Sequence, residues 1–212
     1  MNGTRLPLLD VLSDASEDRW VFESVYEQEP CVVKVERRTS PQIPSEVANL
    51  QKLAGICGVP TILDHQIRQC CLLALKPVGR ALTALQLVPK EVNDICRQIF
   101  QVLASAHARG VVHLDVSPDN IILTESNNAI LVDWGVAVAT GTPVGFVGKP
   151  CFASARRLGC QDTLAALPEE DFEALLHTRD FLLGLPRQEY CCEATTAAAV
   201  QATLWTQEGL PP

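Results

Sequence analysis

Long apolar runs and basic clusters are missing from this sequence of 212 residues. The longest apolar stretches, such as residues 70–75, are far shorter than the roughly 20 residues that a transmembrane helix needs. Lys and Arg number 17 against 25 Asp and Glu, which gives a net charge of -8, and basic residues cluster no further than pairs such as Arg37-Arg38. Such a surface does not favour nucleic acid or an anionic membrane. The sequence therefore predicts no nucleic-acid partner and no membrane association.

Metal-binding cysteine pairs and a secretory signal are also missing. The nine cysteines include no C-x-x-C pair, and the adjacent pairs Cys70-Cys71 and Cys191-Cys192 suit neither a zinc site nor a disulfide framework. The amino terminus lacks the charged-then-apolar order of a secretory signal. We therefore expect reduced thiols and an intracellular protein, in the cytoplasm or the nucleus.

The apolar pattern predicts strands first and helices later. Two strand pairs are expected, at residues 20–26 with 31–35 around a turn at 27–30, and at residues 62–67 with 70–75. Helical spacing predicts helices over residues 45–54, 92–109, 171–183 and 194–204, the first capped by Ser45. Short strands are expected at residues 111–112, 121–123 and 130–132.

This order of elements predicts an α+β chain with two lobes. The breaker-rich segment 76–79 is the expected boundary. It gives a small β-rich N-lobe over residues 1–78, with one helix, and a mainly helical C-lobe over residues 79–212.

The residues with the clearest chemical meaning lie at 113–120 (HLDVSPDN) and 132–135 (VDWG). Asp115 follows a short predicted strand, Asn120 lies five residues later, and Asp133 comes after a hairpin. This set suits phosphoryl transfer, in which one carboxylate orients an incoming hydroxyl group while a second carboxylate and an amide oxygen hold divalent ions on the phosphates.

Both segments resemble the protein kinase family, whose catalytic loop reads H-R-D-L-x-x-x-N and whose metal loop reads D-F-G. Lys34, in the sequence VVKV, resembles the strand lysine of that family, and Glu46 resembles its ion-pair partner on the first helix. Residues 148–154 resemble the end of an activation segment, and residues 170–176 resemble the central helix of the large lobe in its casein-kinase-type versions. The resemblance implies a bilobal protein-kinase-like fold.

The resemblance also implies ATP and Mg²⁺ as cofactors. Lys34, held by Glu46, would steady the phosphates of ATP, and Asn120 and Asp133 would bind Mg²⁺. Asp115 would orient the acceptor hydroxyl group and take its proton.

The same resemblance also implies positions for apolar side chains. Val32 and Ile122 would enclose the adenine ring. Trp134 would fill the slot of the family's Phe, near His113 and Leu50.

The glycine-rich sequence of the family's phosphate-covering hairpin is missing here. Residues 4–54 contain no glycine, and the region near residues 13–20 offers Asp14, Glu17 and Asp18 instead. Side chains hinder the approach of backbone amides to phosphate, and carboxylates repel it. The hairpin either forms a working lid or folds away from the cleft as an acidic solvent loop.

Two further departures concern the C-lobe. Ser117 occupies the position of a family lysine that touches the γ-phosphate, and Lys149 occupies that of a nearby threonine, so Lys149 either supplies the lost charge or faces solvent. The A-P-E triplet is absent, and the residues after Gly184 are too few for the later helices of the family, which predicts a C-lobe truncated after the central helix. The apolar face there is either open to a partner or covered by residues 194–204. Asp171 would brace the backbone of the catalytic loop.

Three functions remain open on these residues. The first is a serine/threonine protein kinase acting on a protein substrate. The second is a pseudokinase, a binding module that regulates a partner kinase or another host protein. The third is a small-molecule phosphotransferase, which shares an H-x-D-x-x-x-x-N loop and often has Trp after its metal-binding Asp. The sequence leaves the oligomeric state unknown.

Overall fold

A computed structural model describes residues 8–16, 19–37, 42–68, 70–190 and 195–206. Within these ranges the helices are α1 (Gln42–Lys52), α2 (Pro89–Ala108), α3 (Ala155–Leu158), α4 (Pro168–Leu182) and α5 (Ala197–Trp205). The strands are β1 (Leu8–Ser16), β2 (Arg19–Tyr26), β3 (Glu29–Arg37), β4 (Thr61–Ile67), β5 (Cys70–Lys76), β6 (Arg80–Ala81), β7 (Val111–Val112), β8 (Ile121–Leu123), β9 (Ala129–Leu131), β10 (Val138–Ala139), β11 (Pro143–Val144) and β12 (Leu164–Ala165). The predicted α+β architecture, with a β-rich first part and a helical second part, is confirmed.

The first part is an antiparallel sheet of β1 to β5 in the order β1-β2-β3-β5-β4. The turn between β2 and β3 is shorter than predicted, because Glu29 and Pro30 belong to β3. Glu27 and Gln28 alone form the turn, with φ values of 49° and 72° that match the twist of a tight hairpin. Pro30 is tolerated because β5 pairs with β3 only from Val32 onward.

The beginning of α1 corrects the prediction that Ser45 caps this helix. The helix already includes Gln42, so Ser45 lies inside it. The backbone N–H of Ile43 donates to the Glu36 carboxylate at 3.0 Å, and Glu36 is buried on β3. A carboxylate from a neighbouring strand thus satisfies the helix N-terminus, which local sequence patterns do not reveal.

The remaining predicted elements differ from the structure by a few residues at their ends. Helix α2 begins at Pro89 and precedes Gly110, whose φ of 71° ends it. Helix α4 begins at Pro168, where the Glu170 carboxylate accepts the N–H of Leu167 at 3.0 Å. Helix α5 begins at Ala197, and Ala194 lies outside the described residues. The short strand predicted at residues 111–112 is present as β7, whereas β6, β10, β11 and β12, each of two residues, have no periodic signal in the sequence.

One hydrophobic cluster connects the sheet with the helices. Successive elements each contribute fully buried members to it, among them Leu50, Leu73, Leu103, Leu131, Leu175 and Val200. Val200 and Leu204 are 0% and 1% exposed, so α5 covers the apolar faces of α2 and α4. Of the two alternatives for this face, the structure has the covered one, with Leu182 and Leu183 half-buried against the cluster.

The predicted lobe boundary falls in the connection between two sheets. The five-stranded sheet ends with β5, and β6 begins the sheet of order β6-β8-β9. Gly79 lies in this connection, where a Cβ atom would be 2.7 Å from the carbonyl oxygen of Leu123. The division at residue 78 stays a prediction.

None of the described helices has the length and apolar character that a bilayer crossing requires.

Candidate active site

The structure brings Lys34, Glu46 and Asp133 together between β3, α1 and the segment after β9. Lys34 Nζ donates to Glu46 Oε1 at 2.7 Å and Oε2 at 2.9 Å, and to Asp133 Oδ1 at 3.1 Å. Lys34 and Glu46 are 6% and 1% exposed. The ion pair implied by the family resemblance is thus buried and bidentate.

The charges of this cluster stabilise each other. Burial disfavours the ammonium group, but the Glu46 and Asp133 carboxylates outweigh that effect and raise the pKa of Lys34. Burial likewise opposes ionisation of Asp133, yet Lys34 and Arg19 outweigh it and hold the pKa of this carboxyl far below its ordinary value. Asp133 therefore stays ionised.

Arg19 is a member of the cluster that sequence reasoning missed. Its Nη2 donates to Asp133 Oδ1 at 2.8 Å, and its Nη1 donates to Gln42 Oε1 at 2.6 Å. The pairing of β2 with β3 explains its position. Val21 is opposite Lys34, and Arg19 is two residues before Val21, so the alternation of side chains along a strand places Arg19 on the same face of the sheet as Lys34.

Asp133 is held by the packing of the residue after it. Trp134 is 0% exposed, its Nε1 donates to the Leu131 carbonyl at 2.8 Å, and its ring meets the His113 ring edge-on at 4.6 Å. Asn49 of α1 donates to the carbonyls of Trp134 at 2.9 Å and Ala137 at 2.8 Å. Sequence reasoning missed Asn49, although an amide beside the apolar positions of a helix was a usable signal.

The catalytic-loop segment is fixed by Asp171 from α4. This carboxylate accepts the backbone N–H groups of His113 at 2.7 Å and Leu114 at 2.8 Å, and it contacts His107 Nε2 at 2.8 Å. Asp171 is 0% exposed. The hydrogen bonds implied for it by the resemblance are present, and they hold Leu114 at a φ of 67°.

Asp115 and Asn120 form the second polar pair of the site. Asn120 Nδ2 donates to the backbone carbonyl and to Oδ2 of Asp115, both at 2.8 Å. The other carboxylate oxygen, Oδ1, is buried and has no partner among the described residues. Burial is the main cause that raises the pKa of Asp115 above its ordinary value. An oxygen of this kind suits an incoming hydroxyl donor.

The segment after β11 brings a cation, Lys149, against the loop between Asp115 and Asn120, and a glycine, Gly148, against Asp115 itself. Lys149 Nζ donates to Ser117 Oγ at 3.2 Å and forms a short ion pair with Asp119. Gly148 has a φ of +82°, and a Cβ atom there would be 2.6 Å from the Leu114 carbonyl oxygen and 3.1 Å from Asp115 Oδ1. The structure thus places Lys149 beside Ser117. Position 148 has room only for glycine.

The proposed adenine-enclosing residues lie beside the connection between the sheets. Val32 pairs with Leu75 just before the connection, and Ile122 pairs with Ala81 just after it. Both side chains are half-buried. Their role in binding adenine stays a prediction.

The segment that lacks A-P-E has other anchors. Arg157, 5% exposed, forms a buried ion pair with Glu170 at 2.9 Å. The Ala155 N–H donates to Glu173 at 2.8 Å. Arg187 donates to three carbonyls of the segment, those of Pro150, Cys151 and Ala153.

The residues present fit a magnesium-bound nucleotide. Mg²⁺ takes one or two protein oxygen ligands and completes its shell with phosphates and water. Asp133 offers a carboxylate, and the hydrogen bonds of Asn120 Nδ2 leave its amide oxygen for a cation. Within the described ranges no cluster of three or more His, Cys, Asp or Glu side chains forms a self-contained metal site. Phosphates and water would therefore have to supply the other ligands.

Comparisons with known proteins agree with this geometry. The chain is 49% identical over 57 residues to the serine/threonine-protein kinase PknD of Mycobacterium tuberculosis. The aligned segment covers 27% of this chain and 9% of that protein. It is 36% identical over 72 residues to misshapen-like kinase 1 of Rattus norvegicus. That aligned segment covers 32% of this chain and 5% of that protein. The chain therefore spans only a small part of these relatives.

A solved structure shares the fold. The kinase PK-1 of the Cydia pomonella granulovirus superposes with a TM-score of 0.71 at 17% identity, over 84% of this chain and 68% of that one. The protein kinase domain family matches residues 41–166, more than half of the sequence. That range includes Glu46, Asp115, Asn120 and Asp133. The chain therefore belongs to the protein kinase family.

Proposed function

We propose that this chain transfers the γ-phosphoryl group of ATP, with Mg²⁺, to Ser or Thr hydroxyl groups of a protein. One observation carries the proposal: Lys34, Glu46 and Asp133 share hydrogen bonds of 2.7 to 3.1 Å, while Asp115 keeps one buried oxygen without a partner among the described residues. Such a set joins a phosphate-binding cation to a proton acceptor. The match to the protein kinase domain supports a protein acceptor over a small molecule.

Each side chain has a defined task in this proposal. Lys34, oriented by Glu46, binds the α- and β-phosphates. Asp115 orients the acceptor hydroxyl group and receives its proton as the hydroxyl oxygen attacks the γ-phosphorus and the bond to the bridging oxygen of ADP breaks. Mg²⁺, held by Asn120 and Asp133, would supply positive charge on the phosphates.

Lys149 is a further part of the proposal. Its ammonium group lies 3.2 Å from Ser117 Oγ, and its charge lowers the pKa of the neighbouring Asp115, although burial dominates there. A cation at this position would offset charge on the transferring phosphoryl group. Lys149→Ala should lower kcat with little change in the KM for ATP, and an unchanged kcat would contradict this role.

Phosphate transfer from γ-labelled ATP to casein tests the main proposal. Asp115→Asn should lower the rate by about 10²–10⁴-fold, since it removes the proton acceptor. Asp94→Asn is the matched control, because the Asp94 side chain on α2 is 41% accessible and its partners, Lys90 and Arg97, are not residues of the candidate site. Equal rates for the wild type and Asp115→Asn would contradict the proposed chemistry.

A pseudokinase is the second candidate, and one observation favours it. Asp133, the proposed metal-binding carboxylate, already accepts a hydrogen bond from Arg19 at 2.8 Å. In that case the chain would bind nucleotide or a partner protein without measurable transfer. ATP binding by thermal shift together with no label transfer above the Asp115→Asn background would support this candidate over the first.

A further inference from the structure

Arg19 places a cation where protein side chains and a nucleotide would meet. It lies at the beginning of β2, where it pairs with Ser16 of β1, and its side chain is 15% exposed. Its guanidinium group bridges Asp133 Oδ1 and Gln42 Oε1. Asp133 Oδ1 also accepts from Lys34. Two cations therefore share one carboxylate oxygen.

The donors of Arg19 are not all used by these contacts. A guanidinium group carries five N–H donors. The Nε of Arg19 is buried and has no hydrogen-bond partner among the described residues. Buried donors without a partner are uncommon because each costs free energy. This buried Nε faces protein, but Nη1 and Nη2 each carry a second N–H beyond their contacts with Gln42 and Asp133, and these are the donors available for a phosphate.

The hairpin that carries Arg19 also lacks glycine. Residues 4–54 contain none, so Cβ atoms line the backbone where close approach of amides to phosphate would be needed. A guanidinium group on a long side chain reaches phosphate without such an approach and forms charge-assisted, bidentate hydrogen bonds with it. Arg19 thus offers, by side chain, the donors that the backbone cannot bring close.

The charge balance of the cleft points in the same direction. Lys34 is offset by Glu46, which would leave Asp133 as an unbalanced negative charge facing an anionic nucleotide. Arg19 balances Asp133 within 2.8 Å. A divalent cation normally fills this neutralising role in phosphoryl-transfer sites. Here a side chain already fills it, and it also competes with a metal ion for Asp133 Oδ1.

We propose that Arg19 is a phosphate-binding residue and that it allows this chain to bind ATP without a divalent metal ion. The proposal rests on the proposed function, because it assumes that the cleft takes a nucleotide. It concerns binding only, so that transfer itself still requires Mg²⁺.

Calorimetric titration of the full chain with ATP tests this proposal, once in EDTA and once in MgCl₂. For the wild type we expect dissociation constants that differ by less than about threefold between the two buffers. Arg19→Val should weaken binding in EDTA by about tenfold or more, the effect of losing a hydrogen bond between charged groups. It should bind Mn²⁺ more tightly than the wild type in the presence of ATP, because Asp133 is released.

Two further variants separate the role of Arg19 from general effects. Arg68→Val removes the same charge from an exposed position after β4, and should bind ATP like the wild type in both buffers. Arg19→Lys keeps the charge but not the planar fork, and should recover part of the binding in EDTA. Circular dichroism of each variant checks that it is folded.

The outcomes distinguish this inference from the proposed function. Wild-type binding that requires Mg²⁺, or equal binding in EDTA by the wild type and Arg19→Val, overturns the role of Arg19 and leaves the proposed function standing. No binding in either buffer overturns both. Binding in EDTA that depends on Arg19, without label transfer in MgCl₂, supports the role of Arg19 and favours the pseudokinase.

Discussion

Replacing Lys34 by Met separates the structural and chemical roles of the buried ion pair. The substitution leaves Glu46, 1% exposed, as a charge without its cation. Loss of one partner from a buried pair costs about 3–5 kcal/mol, a large share of the roughly 5–15 kcal/mol that stabilises a typical domain. Lys34→Met should therefore lower the free energy of unfolding by about 3–5 kcal/mol.

Urea unfolding followed by tryptophan fluorescence measures this loss, since Trp134 is fully buried and becomes exposed on unfolding. Lys76→Met on β5 is the matched control: Lys76 also pairs at 2.7 Å, but with side-chain exposures of 41% and 57% for itself and Glu29. That exposed pair should contribute less than about 1 kcal/mol.

The double variant Lys34→Met, Glu46→Leu completes the test. Apolar side chains of similar size in place of a buried ion pair are often neutral or stabilising. The double variant should therefore regain most of the lost stability while remaining inactive in phosphate transfer. Equal destabilisation by Lys34→Met and Lys76→Met, or no recovery in the double variant, would refute the electrostatic argument.

Three other predictions concern the rest of the site and the fold. Gly148→Ala should lower kcat sharply, because Gly148 has a φ of +82° and a Cβ atom there would be 2.6 Å from the Leu114 carbonyl oxygen. Gly145→Ala should have little effect, because no atom lies within 4 Å of the added Cβ. Similar kcat values for the two variants would contradict this prediction. Leu204→Ala should cost about 2–5 kcal/mol in chemical denaturation, compared with almost nothing for the exposed Gln201→Ala, if α5 is part of the core. The transfer rate should fall as pH is lowered through a pKa above the ordinary 3.8 of Asp115, since the proton acceptor must be ionised. Lys149→Ala should move that acid limb to higher pH, and a shift to lower pH would be incompatible with this cation acting on Asp115.

Much of the candidate site could be predicted from short segments of sequence. The spacing of Asp115, Asn120 and Asp133 is set within a loop and a hairpin, so local residues determine it. Lys34 could be assigned because the strand around it has a strong apolar pattern and its neighbours resemble those of a known family. Helices α2 and α4 could also be predicted locally, because α2 has a clear apolar face and α4 has carboxylates in its first turn.

Only the tertiary structure decided which side chains complete the site. Arg19 meets Asp133 because strand register and the packing of α1 bring together residues 114 positions apart. Glu36 is only seven positions before Ile43, but it caps α1 because the fold turns the Glu36 side chain of β3 toward the first turn of that helix. Coverage of the apolar face by α5 was equally undetermined by pattern, because its alanine-rich sequence shows no clear amphipathic face. Local propensity acts within a few residues, whereas these contacts depend on the free energy of burying charges and apolar surface from distant segments together.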